Sequence, residues 1–354
     1  NRIMMKKNLV ALILVLTSAL SYGTILEKKY HKVFKSERIK HLLIENRYGN
    51  VEIRQTNGRE IEIFANIVVT AKKHDRAQAL LDIVNIKDSL DGNRLVVRSE
   101  FAKNVLLRKK IWSNDLIVSY VVKVPKNIVL TIINSRGDVL LDSFVGDMNV
   151  LLKDGNFRAT SVSGGLLYVD QARGYFNAGD LETVSLHLKR VTMVGGYIDE
   201  GEIAFTDSNI SVQEMLRLKF NTYGGMLKVA RLANVTGESD QTKVEIGELT
   251  SSLNLKTRYG RVNILKIDGS FTSLSMDSKH SDISLNFEAP ASYSIEMTHN
   301  EALMVDIPEG MVFSPLETEN PRLKSGKARV GNGRSKVNLD LRGGMLSIKE
   351  NFTI

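Results

Sequence analysis

Chemistry-bearing residues are plentiful in this chain of 354 residues, but few stand at spacings that make a reactive site. The six histidines are His31, His41, His74, His187, His280 and His299; none pairs at metal-ligand spacing, and there is no HExxH. His280 and His299 read as turn residues one repeat apart, and two imidazoles without further ligands are solvated neighbours rather than a metal centre. Cysteine is absent, which removes disulfides, thiolate metal sites, a cysteine nucleophile and a lipobox. Gly164-Gly165, Gly195-Gly196, Gly224-Gly225 and Gly343-Gly344 open no helix and precede no Lys-Ser or Lys-Thr. They read as turn residues, not a phosphate loop. No cofactor and no metal is expected.

Two kinds of site remain. Acid–base chemistry on a polysaccharide needs carboxylates clustered on adjacent strands, often with Ca²⁺, plus a base. Asp138 and Asp154 are the acids whose spacing could bring them together, although turn aspartates commonly cap backbone N–H groups. Binding of anionic ligands needs clustered cations, and three basic segments supply them: Lys28 to Lys40, Lys103 to Lys110, and Arg322 to Lys336. The candidate contacts are Arg108, Lys109, Lys110 and Trp112 in the second segment, and Arg322, Lys324, Lys327 and Arg329 in the third. Trp112 is the single tryptophan. Beside cations it suits a sugar ring or a membrane surface, and alternatively it plugs an open end of the fold. The basic runs are short and lack interleaved aromatics, so nucleic acid is not an expected partner.

What must position these residues is a frame that recurs along the chain. Gly49, Gly137, Gly155, Gly174, Gly225, Thr242, Gly260 and Ser281 act as anchors. Two residues after each comes an apolar position (Val51, Val139, Phe157, Phe176, Leu227, Val244, Val262, Ile283), and four after comes another. A third follows seven after, from Phe144 to Ile267, and fails at Glu288. Apolar residues also fall seven and five before most anchors, as at Leu130 and Ile132. Period-two apolar residues around a tight turn are two strands facing one interior. Repetition of that unit predicts stacking, because one unit alone cannot bury its apolar row. Gly174 to Gly225 reads as two coils of irregular length, with Gly195-Gly196 at the weaker turn. Three positions before the anchors stand Asn46, Asn134, Gln171, Thr222, Ser239, Thr257 and Ser278, with Leu152 breaking the row. These predict a polar ladder along the stack.

The fold expected is all-β: a parallel β-solenoid with about 18–21 residues per coil, estimated from the anchor spacing, with an irregular N-terminal cap region and a C-terminal cap. Residues 24–127 hold the first coil and a strand-rich cap or insertion with one short helix, Lys72 to Leu81. Residues 128–305 hold the coils. Residues 306–354 hold a last coil and a cap, in which Arg322 to Lys336 reads as a loop. Residues 1–21 read as a signal peptide: Lys6-Lys7, an apolar run from Leu9 to Leu20, and small residues suiting cleavage after Ser21. The formal charge of +8 falls to +5 when Arg2, Lys6 and Lys7 leave with it. No second long apolar run is present, so no other segment is expected to cross a membrane.

The strand-turn-strand Glu45 to Ile53 (ENRYGNVEI), the segment Val122 to Leu141 (VKVPKNIVLTIINSRGDVLL) and the closing Asn338 to Glu350 (NLDLRGGMLSIKE) together resemble the bacterial putative-adhesin families, exported β-solenoid proteins of unknown function. The resemblance covers nearly all of the chain after residue 21. It implies a right-handed parallel β-solenoid and a non-enzymatic envelope protein, in the periplasm or outside the cell, that binds or scaffolds. The partners expected are anionic cell-envelope polysaccharide, lipid headgroups or surface proteins. The alternative is a carbohydrate-active β-helix enzyme, a lyase or hydrolase. The resemblance carries over no catalytic residues.

Overall fold

The computed structural model describes residues 23–102 and 115–352. The expected signal segment and Arg108, Lys109, Lys110 and Trp112 lie outside the described residues. The described residues are all-β with one short α-helix. Strands β1 (Thr24–Lys35), β2 (His41–Arg47), β3 (Val51–Thr56) and β4 (Glu60–Ala71) precede helix α1 (His74–Asp82). Then come β5 (Val84–Asp91), β6 (Arg94–Phe101), β7 (Leu116–Pro125), β8 (Val129–Ser135), β9 (Val139–Val145) and β10 (Met148–Lys153). The long β11 (Phe157–Asp240) leads into β12 (Lys243–Arg258), β13 (Arg261–Ile267) and β14 (Ser273–Ala289). β15 (Tyr293–Asn300), β16 (Leu303–Asp306), β17 (Ser314–Leu316), β18 (Leu323–Val330) and β19 (Ser335–Phe352) complete the chain.

The recurring frame becomes a stack of parallel rungs in register. Met148 lies between Leu130 and Leu167; Val244 lies between Leu227 and Val262. Apolar side chains of the frame therefore form columns, and nearly all are buried. The third apolar column is continuous as well. Where the frame fails at Glu288, a register shift in β14 brings Phe287 opposite Ile267 and buries it.

The stretch between Gly174 and Gly225 corrects the expectation of irregular coils. Each turn places the residue before its anchor in the left-handed region: Arg136 (φ 57°), Asp154 (56°), Arg173 (63°), and likewise Arg190 (55°) and Asp207 (50°). The missing anchors are thus Val191 and Ser208. The Val191 N–H donates to Ser208 Oγ at 3.1 Å, seventeen residues along. Their apolar followers Met193, Ile198, Ile210 and Met215 are buried like the rest. Gly195-Gly196 follows the Val191 anchor, and neither glycine has the positive φ that marks these turns.

Both ends are built out of sequence order. At the start, β2 and β3 pair on one side with β8 and β9, and on the other with the later β6 and β7 (Leu42 opposite Leu95, Val51 opposite Tyr120). Part of the expected cap is therefore a rung itself. At the finish, β19 lies between β14 and the earlier β15 and β16, with Val337 opposite both Leu274 and Ile295. Antiparallel strands then cover the open edges: β4 on β7 and β1 on β4, β5 on β6, β18 on β15 and β17 on β18. An uncovered edge of a parallel stack would template further pairing, so a covering of opposite direction is a stop. Helix α1 packs on β4 and β1 with Ala77 and Leu80 fully buried. The stretch Arg322 to Lys336, expected as a loop, is strand β18, the turn after it and the start of β19, because Ala328 has core to face.

At most glycine anchors the backbone of the preceding rung occupies the space of a Cβ: one added at Gly155 would overlap the Gly137 carbonyl oxygen. Gly155→Ala is expected to lower unfolding free energy by about 1–3 kcal/mol or more. Gly310→Ala, with nothing within 4 Å, should stay within about 0.5 kcal/mol. Urea midpoints of the two variants measure the difference.

Three tyrosines hold the end rungs. The Tyr120 hydroxyl meets Ser99 Oγ at 2.9 Å, Tyr30 donates to Asp88 at 2.9 Å, and Tyr293 donates to Glu350 at 3.2 Å. Burial is the largest cause that pushes all three phenols well above their ordinary range, with the carboxylates Asp88 and Glu350 adding to it for Tyr30 and Tyr293. Since the folded values lie above the unfolded value near 10, their stabilisation is complete below about pH 10 and is lost as pH rises beyond it. The urea midpoint should fall between about pH 9 and pH 11, and folded protein at the higher pH should show phenolate absorbance from fewer than its ten tyrosines. Full ionisation without unfolding would contradict this account.

Candidate functional site

The turn before each anchor sets one polar row inside and others outside. The inner row, three before the anchor, is buried: Asn46, Asn134, Gln171, Thr222, Ser239, Thr257 and Ser278. Asn46 Nδ2 donates to the Val118 and Gly49 carbonyls at 2.8 and 3.0 Å; Asn134 Nδ2 donates to those of Gly49 and Gly137 at 3.0 and 2.9 Å. Gln171 Nε2 reaches the Gly155 carbonyl at 2.9 Å, and Ser239 Oγ donates to Thr257 Oγ1 at 3.0 Å. The three amides satisfy turn carbonyls, where burial makes an unpaired group costly, and the two hydroxyls pair with each other. Leu152, Leu188 and Phe205 occupy the same row and are buried too, so the ladder is interrupted. A second ladder lies just after the anchors: Asn50 Oδ1 accepts from the Asp138 N–H, Asp138 Oδ1 from Asn156 N and Nδ2, and Asn156 Oδ1 from the Tyr175 N–H, all within 3.0 Å.

Outside, side chains at alternate positions before the turn stand over one another in rows. The rows enclose a groove that follows the stack axis. One hollow of about 410 Å³ is lined by Asp170, His187, Lys189, Asn221 and Tyr223, with the short side chains of Ala204 and Thr206 between them. A second, of about 300 Å³, begins at the same Asn221 and runs on past Glu238, Asp240, Lys256 and Arg258 to Asp277 and Lys279. The buried hydroxyls of Thr222, Ser239 and Thr257 also line it. Opposite charges meet across adjacent rungs here: Lys256 with Glu238 at 3.5 Å, Arg258 with Asp240 at 3.1 Å.

The strands after the turns carry ion pairs, and further along them a hollow of about 630 Å³ is lined by Glu200, Glu202, Arg217 and Lys219. Glu245 takes Lys228 at 2.9 Å and Lys243 at 3.1 Å, and these two cations hold its carboxyl below the usual range. Lys266 bridges Glu288 and Glu248 at 3.0 and 3.1 Å, which raises its ammonium.

The structure disperses the residues that sequence reasoning singled out. Lys324 and Lys327 lie on β18, each with an acid: Glu301 at 3.5 Å and Glu296 at 2.6 Å. Arg329 lies on the same strand and Arg322 in the turn before it; neither meets a carboxylate within ion-pair distance among the described residues. Asp138 and Asp154 do not form an acid pair: the first serves Asn156, and the second pairs with Arg173, which lowers its pKa. His280 and His299 are not on adjacent rungs, because β19 comes between: His280 stacks on Tyr259 (ring centroids 5.4 Å apart), whereas His299 stands opposite Leu341. No group of three or more metal-ligating side chains occurs among the described residues. No helix among them is long and apolar enough to cross a membrane. The groove was missed by sequence reasoning. Successive members of each row are 17 to 21 positions apart and unlike one another, and only register brings them together.

The geometry defines a class: an all-β protein of stacked parallel strands with a polar groove along the stack. No family model matches the chain, and no curated protein matches it. Among solved structures it is similar to a putative cell adhesion protein from Clostridium sporogenes, at 9% identity and a TM-score of 0.22, over 92% of this chain and 100% of that one. It is also similar to a putative lipid binding protein from Parabacteroides distasonis (12%, TM-score 0.33, 72% and 93%) and a putative adhesin from Parabacteroides merdae (14%, 0.32, 72% and 92%).

Proposed function

We propose that this chain is a non-enzymatic, exported cell-envelope protein that binds or scaffolds, built as a right-handed parallel β-solenoid of about 18–21 residues per coil. The observation that carries this reading is the pairing of groove acids with cations on adjacent rungs. A hydrolase or lyase on such a scaffold needs carboxylates that approach each other on neighbouring rungs. In the groove each of Glu238 and Asp240 instead faces a cation on the next rung, and Asp138 and Asp154 are engaged separately. Side chains presented in fixed rows suit many weak contacts made together, which is how a scaffold holds a polymer.

Anionic envelope polymers and lipid headgroups are the proposed partners of the cap, through Arg322, Lys324, Lys327 and Arg329 on and beside β18. Since Lys324 and Lys327 already have Glu301 and Glu296, Arg322 and Arg329 carry most of the attraction. The test is co-sedimentation of the protein lacking residues 1–21 with peptidoglycan, lipopolysaccharide and anionic liposomes at low salt. Retention by at least one is expected. A cation near an anionic surface contributes about 1 kcal/mol, so Arg322→Glu with Arg329→Glu should weaken retention by at least about tenfold. Lys327→Glu alone should cost less. A protein that stays in the supernatant with all three partners overturns the reading, and unchanged retention of the double variant removes the cap as its site.

A further inference from the structure

The groove over Asn221 differs from the cap in its charge balance. Four carboxylates (Asp170, Glu238, Asp240, Asp277) and four cations (Lys189, Lys256, Arg258, Lys279) line its two hollows. Its net charge is therefore zero if His187 is neutral, and it has no electrostatic preference for the polyanions that suit the cap. What it offers is a dense alternation of donors and acceptors with one exposed aromatic ring: Tyr223 is 49% exposed. Ion pairs at such exposure contribute little to stability, so they open readily to hydroxyl partners. The hollow between His187 and Lys189 on one side and Asn221 and Tyr223 on the other is deepened by the short side chains of Ala204 and Thr206. Its volume falls in the range of small-ligand sites. The rungs from Asp170 to Asp277 run for about 29 Å at the ~4.8 Å strand spacing, the length of several linked sugar rings.

We propose that this axial groove binds an uncharged polysaccharide lying along the stack, with one pyranose ring seated over Ala204 and Thr206 against Tyr223. The sugar's C–H face covers the phenol ring, and its hydroxyls meet the Asn221 amide, the Asp170 carboxylate and the Lys189 ammonium. Beyond Asn221 the chain of sugars continues over the Glu238–Lys256 and Asp240–Arg258 pairs. This rests on the binding reading above but uses a different surface and a different ligand class from the basic cap.

The experiment is calorimetric titration of the protein lacking residues 1–21 with neutral tetrasaccharides (chitotetraose, cellotetraose, maltotetraose and mannotetraose), repeated at low and high salt. At least one should bind, with an affinity that changes less than about twofold between about 50 and 500 mM salt, as expected without net charge attraction. Ala204→Trp, which fills the hollow, and Tyr223→Ala, which removes the platform from an exposed position, should each weaken it by about tenfold or more. Melting curves confirm that both variants fold; should Ala204→Trp unfold, Tyr223→Ala and Asn221→Ala decide. Arg322→Glu with Arg329→Glu should leave the affinity unchanged. Absence of binding across the panel, equal affinity in the groove variants, or a steep loss with salt overturns the proposal. Failure of the cap reading shows instead in co-sedimentation with anionic partners, so the two can fail separately.

Discussion

The structure depends on how closely one turn rides on the next. At Gly49, Gly137, Gly155, Gly174, Gly225, Gly260 and Gly344 the carbonyl of the underlying rung stands where a Cβ would be. That approach fixes the register of both strands flanking the turn, since a shift of one residue would turn every apolar side chain of the rung outward. It also demands a left-handed residue just before the anchor, supplied by Tyr48, Arg136, Asp154, Arg173 and their successors. Each such non-glycine residue costs on the order of 1–3 kcal/mol, offset by burial of the frame's apolar side chains in a common interior. Where the anchor is serine or threonine, its own hydroxyl settles the turn. Ser208, Thr242 and Ser281 each donate to the carbonyl two residues earlier, and Ser208 and Ser281 also accept the N–H of the anchor one rung before.

This constraint decides how far the sequence reveals the fold. A turn that excludes Cβ leaves glycine behind, and glycine followed by apolar residues at fixed offsets is legible without a structure. Val191 and Ser208 carry no such mark, so the rungs they anchor were seen only as an irregular gap, although their apolar followers keep the same offsets. The end rungs were hidden for a different reason. Pairing β19 between β14 and β15 is a choice of topology, and nothing in the composition of β19 separates a neighbour in the stack from a neighbour in the chain. The antiparallel course of β18 was likewise masked by its basic and glycine-rich residues, whose strand character comes from Gly326 and Ala328 facing buried neighbours.

The candidate site was less legible than the fold because inward and outward rows are under different physical control. An inward residue must fill a column, so Leu, Ile, Val and Phe recur. When polar, it is small enough for the row and bonds within it, the amides of Asn46, Asn134 and Gln171 to turn carbonyls and the hydroxyls of Ser239 and Thr257 to each other. An outward residue answers only to its neighbours on adjacent rungs. Asp170, His187, Ala204, Asn221 and Glu238 share a row yet have no common chemistry, and no periodicity marks them as a set. Basic clusters within one segment are easy to see in a sequence, but they are weak predictors of a free binding surface. Two of the four described cap cations are held by acids from β15 and the turn after it.

Separating these rows has a consequence for binding. A flexible chain that gathered the same donors and acceptors around a ligand would lose side-chain and backbone freedom at the moment of contact. Here folding has already set the backbone positions, with the polar ladder and the glycine turns holding each rung against its neighbour. The spacing of the rungs is then the spacing of the contacts. A ligand with a repeat of its own can engage successive rungs only if it lies along the axis, so weak contacts at each step add without a deep pocket. The outward rows can exchange residues without disturbing the interior, which leaves recognition to be set by side chains that the fold does not require.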